Sequence, residues 1–298
     1  MLKQTVIFAV VLSCLVFSNR PVAAAELQTR YYRQLVYNHV SPYVPIRGNY
    51  EISPETAQSA PHYVFRRDEQ GRLREIINRN MENEPWRNHP LTQLQVYRTL
   101  FTYTNNQEIR TFFDAEGHPI VNIRGAYREV YSYDASGFKC ALEFFDINDQ
   151  PVVSNWGISR YTWTKVNDWV VEKRVGLAGE LMPVSPYFPF FITGLQFAAN
   201  GFPLAHYNLN EDLNVTDNKD GVAVYRDQYD AGGNHLEFAY YNAKGEAVLT
   251  ASKFAKCRKV YDEFGNVVRL EYYNLAGQKI FEQRFTYDAG GKLITVGK

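Results

Sequence analysis

A four-residue unit, Asp or Asn with Gly three positions later, recurs along this chain. It stands at Asp68–Gly71, Asp114–Gly117, Asp134–Gly137, Asp230–Gly233, Asn242–Gly245, Asp262–Gly265, Asn274–Gly277 and Asp288–Gly291. Relaxed copies at Asn80–Asn83 and Asp146–Asp149 carry Asn or Asp in the glycine position. An aromatic residue usually precedes the unit: Phe113, Tyr133, Phe145, Tyr229, Tyr241, Tyr261, Tyr273 and Tyr287. Asn122–Gly125 and Asn218–Gly221 match the letters without that context and are set aside. Gly137, Gly201, Gly233 and Gly265 fall on a 32-residue grid, with Trp169 in its vacant slot. Gly117, Asp149, Gly245 and Gly277 fall on a second grid of the same period. A fixed period of this size marks a repeat architecture.

The unit has a physical meaning. Asp or Asn at its head accepts a hydrogen bond from the backbone two residues on. Gly at the fourth position takes the left-handed conformation that follows a type I turn and forms a bulge, and Asn or Asp is the next-best occupant. Each unit is therefore a hairpin turn. The stretches between turns alternate with the period of a strand. Val268, Leu270 and Tyr272 face one side, and Val267, Arg269, Glu271 and Tyr273 the other. In the same phase Leu236, Phe238 and Tyr240 oppose His235, Glu237, Ala239 and Tyr241, while Cys140, Leu142 and Phe144 oppose Lys139, Ala141, Glu143 and Phe145. Each copy then contributes one short strand and one longer, bent segment. The 22 Tyr and 19 Phe, 15% aromatic residues with Trp, suit such half-buried pleated surfaces. The expected fold is all-β: an antiparallel meander of about 32-residue β-hairpin repeats, forming an extended, coiled or partly closed sheet.

Three regions follow. Residues 1–25 have the charged start, short apolar centre and small-residue exit of a signal peptide, with cleavage expected after Ala25. Lipoprotein anchoring at Cys14 is disfavoured by Leu12 and by the apolar residues beyond the cysteine. Residues 26–62 lie off the grid as an N-terminal irregular segment, where Ser53 and Pro54 are suited to begin one short helix. Residues 63–298 form the repeat domain, with degenerate copies at about 158–216. Nothing in the mature chain is apolar enough to span a membrane as a helix, so it is expected in the periplasm or outside the cell. There Cys140 and Cys257 either pair or serve as small buried hydrophobes.

"TYDAGGKLIT" (Thr286–Thr295) and "YDEFGN" (Tyr261–Asn266) resemble the YD, or RHS-type, hairpin repeats of bacterial surface and toxin-carrying proteins. "YYNLAG" and "YYNAKG" look more like the turns of MORN-like and YwqK-type repeats. The resemblance covers roughly residues 63–298 and implies a β-sheet shell and a bacterial origin. The 32-residue period is longer than that of such short repeats, and no domain follows the last turn, so an encapsulated toxin is not expected.

Chemistry is sparsely marked. Charges balance, with Lys+Arg and Asp+Glu both 32, and no basic stripe shows along the sequence, so nucleic acid is not an expected partner. The six histidines are scattered without metal-ligand spacing, and Asn208–Gly221, though rich in acids and amides, lacks the order of a calcium loop. No GxSxG motif, dinucleotide fingerprint or activated cysteine is present. No catalytic residue, metal or cofactor is assigned. The remaining signal is Phe145, Tyr241 and Tyr273 on the polar strand face, where repeating copies would set out a row of rings able to stack on sugars or grip a peptide. The expected function is a non-enzymatic binding or scaffold module at the bacterial envelope or exterior, with polysaccharide or another envelope protein as partner. The alternatives are a carbohydrate- or cell-wall-binding protein using the row, or an envelope hydrolase with its site in the degenerate copies.

Overall fold

The structure is a computed structural model describing residues 27–36, 38, 41–79, 94–185, 188–288 and 293–297. Residues 1–26, with the expected signal peptide and Cys14, the Asn80–Asn83 unit and all but the first residue of the Asp288–Gly291 unit lie outside the described residues. Among the described residues there are eighteen strands and one short helix. The first are β1 (Gln28–Leu35), β2 (Gly48–Ile52), β3 (Tyr63–Arg67), β4 (Leu73–Asn78), β5 (Arg98–Tyr103) and β6 (Gln107–Phe113). Next come β7 (Arg128–Tyr133), β8 (Lys139–Phe145), β9 (Arg160–Val166), β10 (Trp169–Val175), β11 (Ile192–Phe197) and β12 (Pro203–Leu209). The last are β13 (Val224–Tyr229), β14 (His235–Tyr241), β15 (Lys256–Tyr261), β16 (Val267–Tyr273), β17 (Lys279–Tyr287) and β18 (Leu293–Gly297). From β3 onward each strand pairs antiparallel with the next, and β1 lies between β2 and β3. The same neighbour-to-neighbour pairing runs through to β18, giving one all-β antiparallel meander that does not close on itself.

The turns form as their chemistry dictates. Asp262 Oδ1 accepts from the amides of Phe264 at 2.9 Å and Asn266 at 2.8 Å, the Gly265 amide donates to Asp262 O, and Gly265 sits at φ 79°. Asp134, Asp146 and Asn242 accept two amides in the same way, and Asn274 Oδ1 accepts from the Gln278 amide. The set-aside units are also turns, which corrects the sequence reading. Asn122–Gly125, Ser154–Gly157, Asn218–Gly221 and Thr250–Lys253 all close from the fourth amide to the first carbonyl, on a third grid of the same 32-residue period. They lack a leading aromatic because they do not follow a strand. Each follows a single-residue bridge, such as Phe145↔Pro151 or Tyr241↔Ala247, that returns the chain from the second turn. The expected long bent segment is thus a bridge, a third turn and a strand. The acid- and amide-rich Asn208–Gly221 stretch is two successive turns, Asn210–Leu213 and Asn218–Gly221.

Non-glycine residues hold the left-handed position at Asp149, Leu213 and Lys253, with φ of 61°, 63° and 63°. That conformation costs an L-residue about 1–2 kcal/mol. Lys253 is exposed, so Lys253→Gly is expected to raise stability by about 1 kcal/mol, read as a higher urea midpoint. Gly277→Ala should lower it by a similar amount, because a Cβ there meets open space and only the backbone strain counts.

The N-terminal segment, expected to be irregular, supplies β1, β2 and a helix, α1 (Pro54–Ala57). Ser53 caps α1 by accepting from the Thr56 amide. The connection from β1 to β2 runs as a strap across the repeat copies. Val36 packs on Gly233, Arg47 donates to Asn200 O at 2.8 Å, and the Tyr50 ring occupies the space that a Cβ on Gly265 would need. Tyr43 lies against Phe138, Trp163 and Phe197. The first-turn glycines Gly201, Gly233 and Gly265, one copy apart, therefore serve both turn and strap.

The buried face of the sheet carries the core, in clusters that follow the copies: Tyr131, Leu142, Phe144, Tyr161 and Trp163 in one, and Cys257, Val267, Leu270 and Phe285 in another. Both thiols are free; Cys257 is buried and Cys140 is half-buried with its Sγ on Ser132 O.

Candidate functional site

In the hairpins from β7 to β16, strand register sets equivalent inward residues face to face: Tyr131 with Leu142, Trp163 with Glu172, Leu195 with His206, Asp227 with Phe238, and Lys259 with Leu270. The first pair is largely apolar. The later ones each hold an ionisable group in a position that packing alone would fill with a hydrophobe.

Two enclosed networks result. Glu172 and Arg174, both fully buried, pair directly, and Glu172 also accepts from Trp163 Nε1 at 2.8 Å and from Ser41 of the strap. Arg174 Nη2 donates to Phe190 O at 2.7 Å, Phe191 O at 3.0 Å and Thr193 Oγ1 at 2.8 Å. In the second network Asp227 stands between two histidines, with His206 Nδ1 at 3.1 Å and His235 Nε2 at 2.6 Å. His235 Nδ1 lies 2.8 Å from Lys259 Nζ. When Lys259 is an ammonium it only donates, so Nδ1 then accepts and the ring proton sits on Nε2, on the side of the carboxylate. Burial pushes the His235 imidazole down to about 4 and the Lys259 amine down to about 7. Burial alone would raise the Asp227 carboxyl, but the two histidines hold it well below the usual range.

A third cluster lies at the other end of the strap. Arg110 bonds Glu108 and the Tyr131 hydroxyl, and Arg124 and Asn122 both reach Glu129. Beside it is a cavity of about 30 Å³, room for about one water, lined in part by Ser41, Asn122, Arg124 and Glu129. Lys139 donates to Tyr43 O, and burial, with Arg110 next to it, pushes its amine down to about 7. Among the described residues the side chains of Asp114, Glu116 and His118 also approach one another at one exposed turn, where Asp114 accepts from the His118 amide at 2.7 Å.

The sequence-proposed residues lie on the opposite, outer face. Phe145, Tyr241 and Tyr273 occupy the same position in their copies, each the strand residue that bridges across the second turn. Each ring is covered by a cation: Arg128 lies 4.7 Å from the Phe145 centroid, Arg226 4.6 Å from Tyr241, and Lys256 5.1 Å from Tyr273. The Tyr273 hydroxyl also donates to Glu271 Oε2 at 2.7 Å. The three do not form one row. Val175 and Leu209 hold the equivalent position on the two intervening copies, so Tyr241 and Tyr273 are neighbours and Phe145 is apart. Tyr241 and Tyr273 are two strands apart, about 10 Å. Phe113, bridged to Pro119, is the fourth aromatic of the series and makes a second pair with Phe145. Its place before Asp114 was the signal that could have found it.

The chain matches no protein-family profile and no curated protein. Among solved structures it is similar to one described as "Crystal Structure of TcdB2-TccC3-Cdc42", with 11% identity and a TM-score of 0.29, covering 89% of this chain and 11% of that one. It is also similar to "Crystal Structure of TcdB2-TccC3-TEV", at 13% identity and TM-score 0.28, covering 83% and 13% of the two chains. A third, "Crystal structure of the eukaryotic initiation factor", shows 9% identity and TM-score 0.23 over 85% of this chain and 81% of that one. The chain spans 11% and 13% of the length of these two TcdB2-TccC3 chains. These likenesses assign neither family nor activity.

Proposed function

We propose that this chain is an exported, non-enzymatic β-repeat protein acting as a binding or scaffold module at the bacterial cell envelope or exterior, through the outer face of its sheet. The observation that carries the reading is the division of labour between faces. The inner face is filled by core side chains, the strap and the ion networks, whereas the outer face presents registered aromatic–cation pairs at Phe145, Tyr241 and Tyr273, the last two on adjacent copies. In the copies around 158–216, suggested by sequence as a hydrolase site, the carboxylate Glu172 is enclosed by Arg174, Trp163 and Ser41.

Polysaccharide is the ligand class we favour, because Tyr241 and Tyr273 are only half-buried and their rings are held by the overlying cations. A cation over a ring is worth about 0.5–1 kcal/mol at an exposed site, little enough for a sugar to share or displace. The double variant Tyr241→Ala/Tyr273→Ala is expected to lose at least 10-fold in binding to a mixed polysaccharide pull-down, with circular dichroism unchanged. Undiminished binding would reject this use of the rings.

A further inference from the structure

The chain is neutral overall, yet its charges are segregated. Asp68, Asp114, Asp134, Asp146, Asp230 and Asp262 are held at the ends of the sheet, where each accepts backbone amides in a turn. The outer face of β13–β17 is left with Arg226, Lys256, Arg258, Arg269, Lys279 and Arg284 against three carboxylates, Glu237, Glu271 and Glu282. The carboxylates pair with Lys256, Arg269, Lys279 and Arg284. Arg226 and Arg258 have no carboxylate partner among the described residues, and both are exposed. The linear sequence hides this patch because alternation and strand reversal scatter its members over about sixty residues.

Register sets the cations out regularly. Arg226, Ala239, Lys256, Tyr273 and Lys279 follow one another across β13 to β17, so the cations recur on every second strand, about 10 Å apart. Arg258 stands in the adjoining row between Glu237 and Glu271. Tyr273 stands in this line opposite Lys256 and Tyr241 lies in the next row opposite Val224, each ring under one of the cations.

From this charge and ring pattern we infer that the outer face of β13–β17 takes an acidic polysaccharide, a linear glycan bearing carboxylates or sulfates. The cations meet the acid groups and the tyrosine rings meet the sugar faces. A compact anion would engage only one cation of such a line, and a neutral glycan would leave Arg226 and Arg258 unused. The inference rests on the outer-face binding reading above and narrows its ligand.

The test is equilibrium binding of the purified chain to polygalacturonate, with uncharged dextran and oligothymidylate as comparison probes. Polygalacturonate is expected to bind at least 10-fold more tightly than either. Its affinity should fall at least 10-fold in Arg226→Ala/Arg258→Ala, and fall again as salt rises from about 0.05 to about 0.5 M, where screening shortens to a few ångströms. Equal binding of dextran, or an unchanged double-arginine variant, overturns the acidic assignment while leaving a sugar-binding face. Oligothymidylate binding as tightly as polygalacturonate overturns it in favour of a general polyanion surface. Failure of every polymer to bind overturns the polysaccharide reading as well.

Discussion

Arg174→Met is expected to lower the unfolding free energy by about 3–5 kcal/mol, among the largest single-residue losses in the molecule. The loss does not come from the attraction between Arg174 and Glu172 as such. Desolvating two ions roughly offsets their mutual gain, so an intact buried pair adds little. What costs is leaving Glu172 fully enclosed and without its cation, while Phe191 O loses the Arg174 donor and Phe190 O keeps only the Val184 amide. Ser41 and Trp163 still donate to Glu172, but neither carries charge. The double variant Glu172→Leu/Arg174→Met should therefore recover much of the loss, because it removes both ions and restores an apolar pair like Tyr131 with Leu142. Urea midpoints at unchanged slope read both numbers. A single variant costing under about 1 kcal/mol would show that water reaches Glu172. A double variant as unstable as the single would show that the strap, held through Ser41, needs the carboxylate itself.

The same network explains what was and was not legible in the sequence. The hairpin turns were legible because their chemistry is local: Asp262 and Gly265 are selected by four residues of backbone geometry, whatever surrounds them. The third turn was overlooked because Ser154 and Thr250 stand in for Asn, and Lys253 for Gly, so only two of its members showed the full pattern. The middle copies looked degenerate for a different reason. Trp169 stands in the grid slot that glycine holds in the neighbouring copies, and Glu172, Arg174, His206 and Asn208 point inward there. Their pairing depends on tertiary neighbours such as Ser41, 131 residues away, which no local window contains. The strap was invisible on the same account, since the residues it meets lie one copy apart and come together only once the sheet coils. Among the candidate binding residues, Phe145, Tyr241 and Tyr273 were found from their place before a turn. Their cations were not, because Arg128, Arg226 and Lys256 reach them from the preceding strand of each hairpin.

Acidification should loosen the copies around β12–β15 before the rest. His235 titrates near 6.5 when unfolded, but burial, then the neighbouring Lys259 charge, depress it to about 4 in the folded chain. Between those values the unfolded state binds the extra proton, so stability falls as pH falls from about 6.5 to about 4, by on the order of 3 kcal/mol. Asp227 acts in the same direction but lower: its depressed carboxyl contributes stability above the ordinary carboxylate range and loses it as pH drops through its folded value. Lys259, depressed from 10.5 to about 7, extends the slope upward, with stability still rising from about pH 7 towards 10. The comparison must stay above about pH 4, because the turn aspartates Asp68, Asp114 and Asp134 are also depressed and destabilise every variant once they protonate. His235→Gln removes the titrating ring while keeping a polar side chain between Asp227 and Lys259. It is expected to be less stable at pH 7 yet to show a much flatter profile between pH 6.5 and 4. Asp227→Ala should lose about 3–5 kcal/mol at pH 7, since it leaves Lys259 and two histidines enclosed without their carboxylate. Hydrogen exchange at pH 5 should place the first opening in the amides of β13 and β14. Parallel pH profiles for wild type and His235→Gln would show instead that the four side chains are already neutral or hydrated, and that their charge does not govern how tightly these copies hold together.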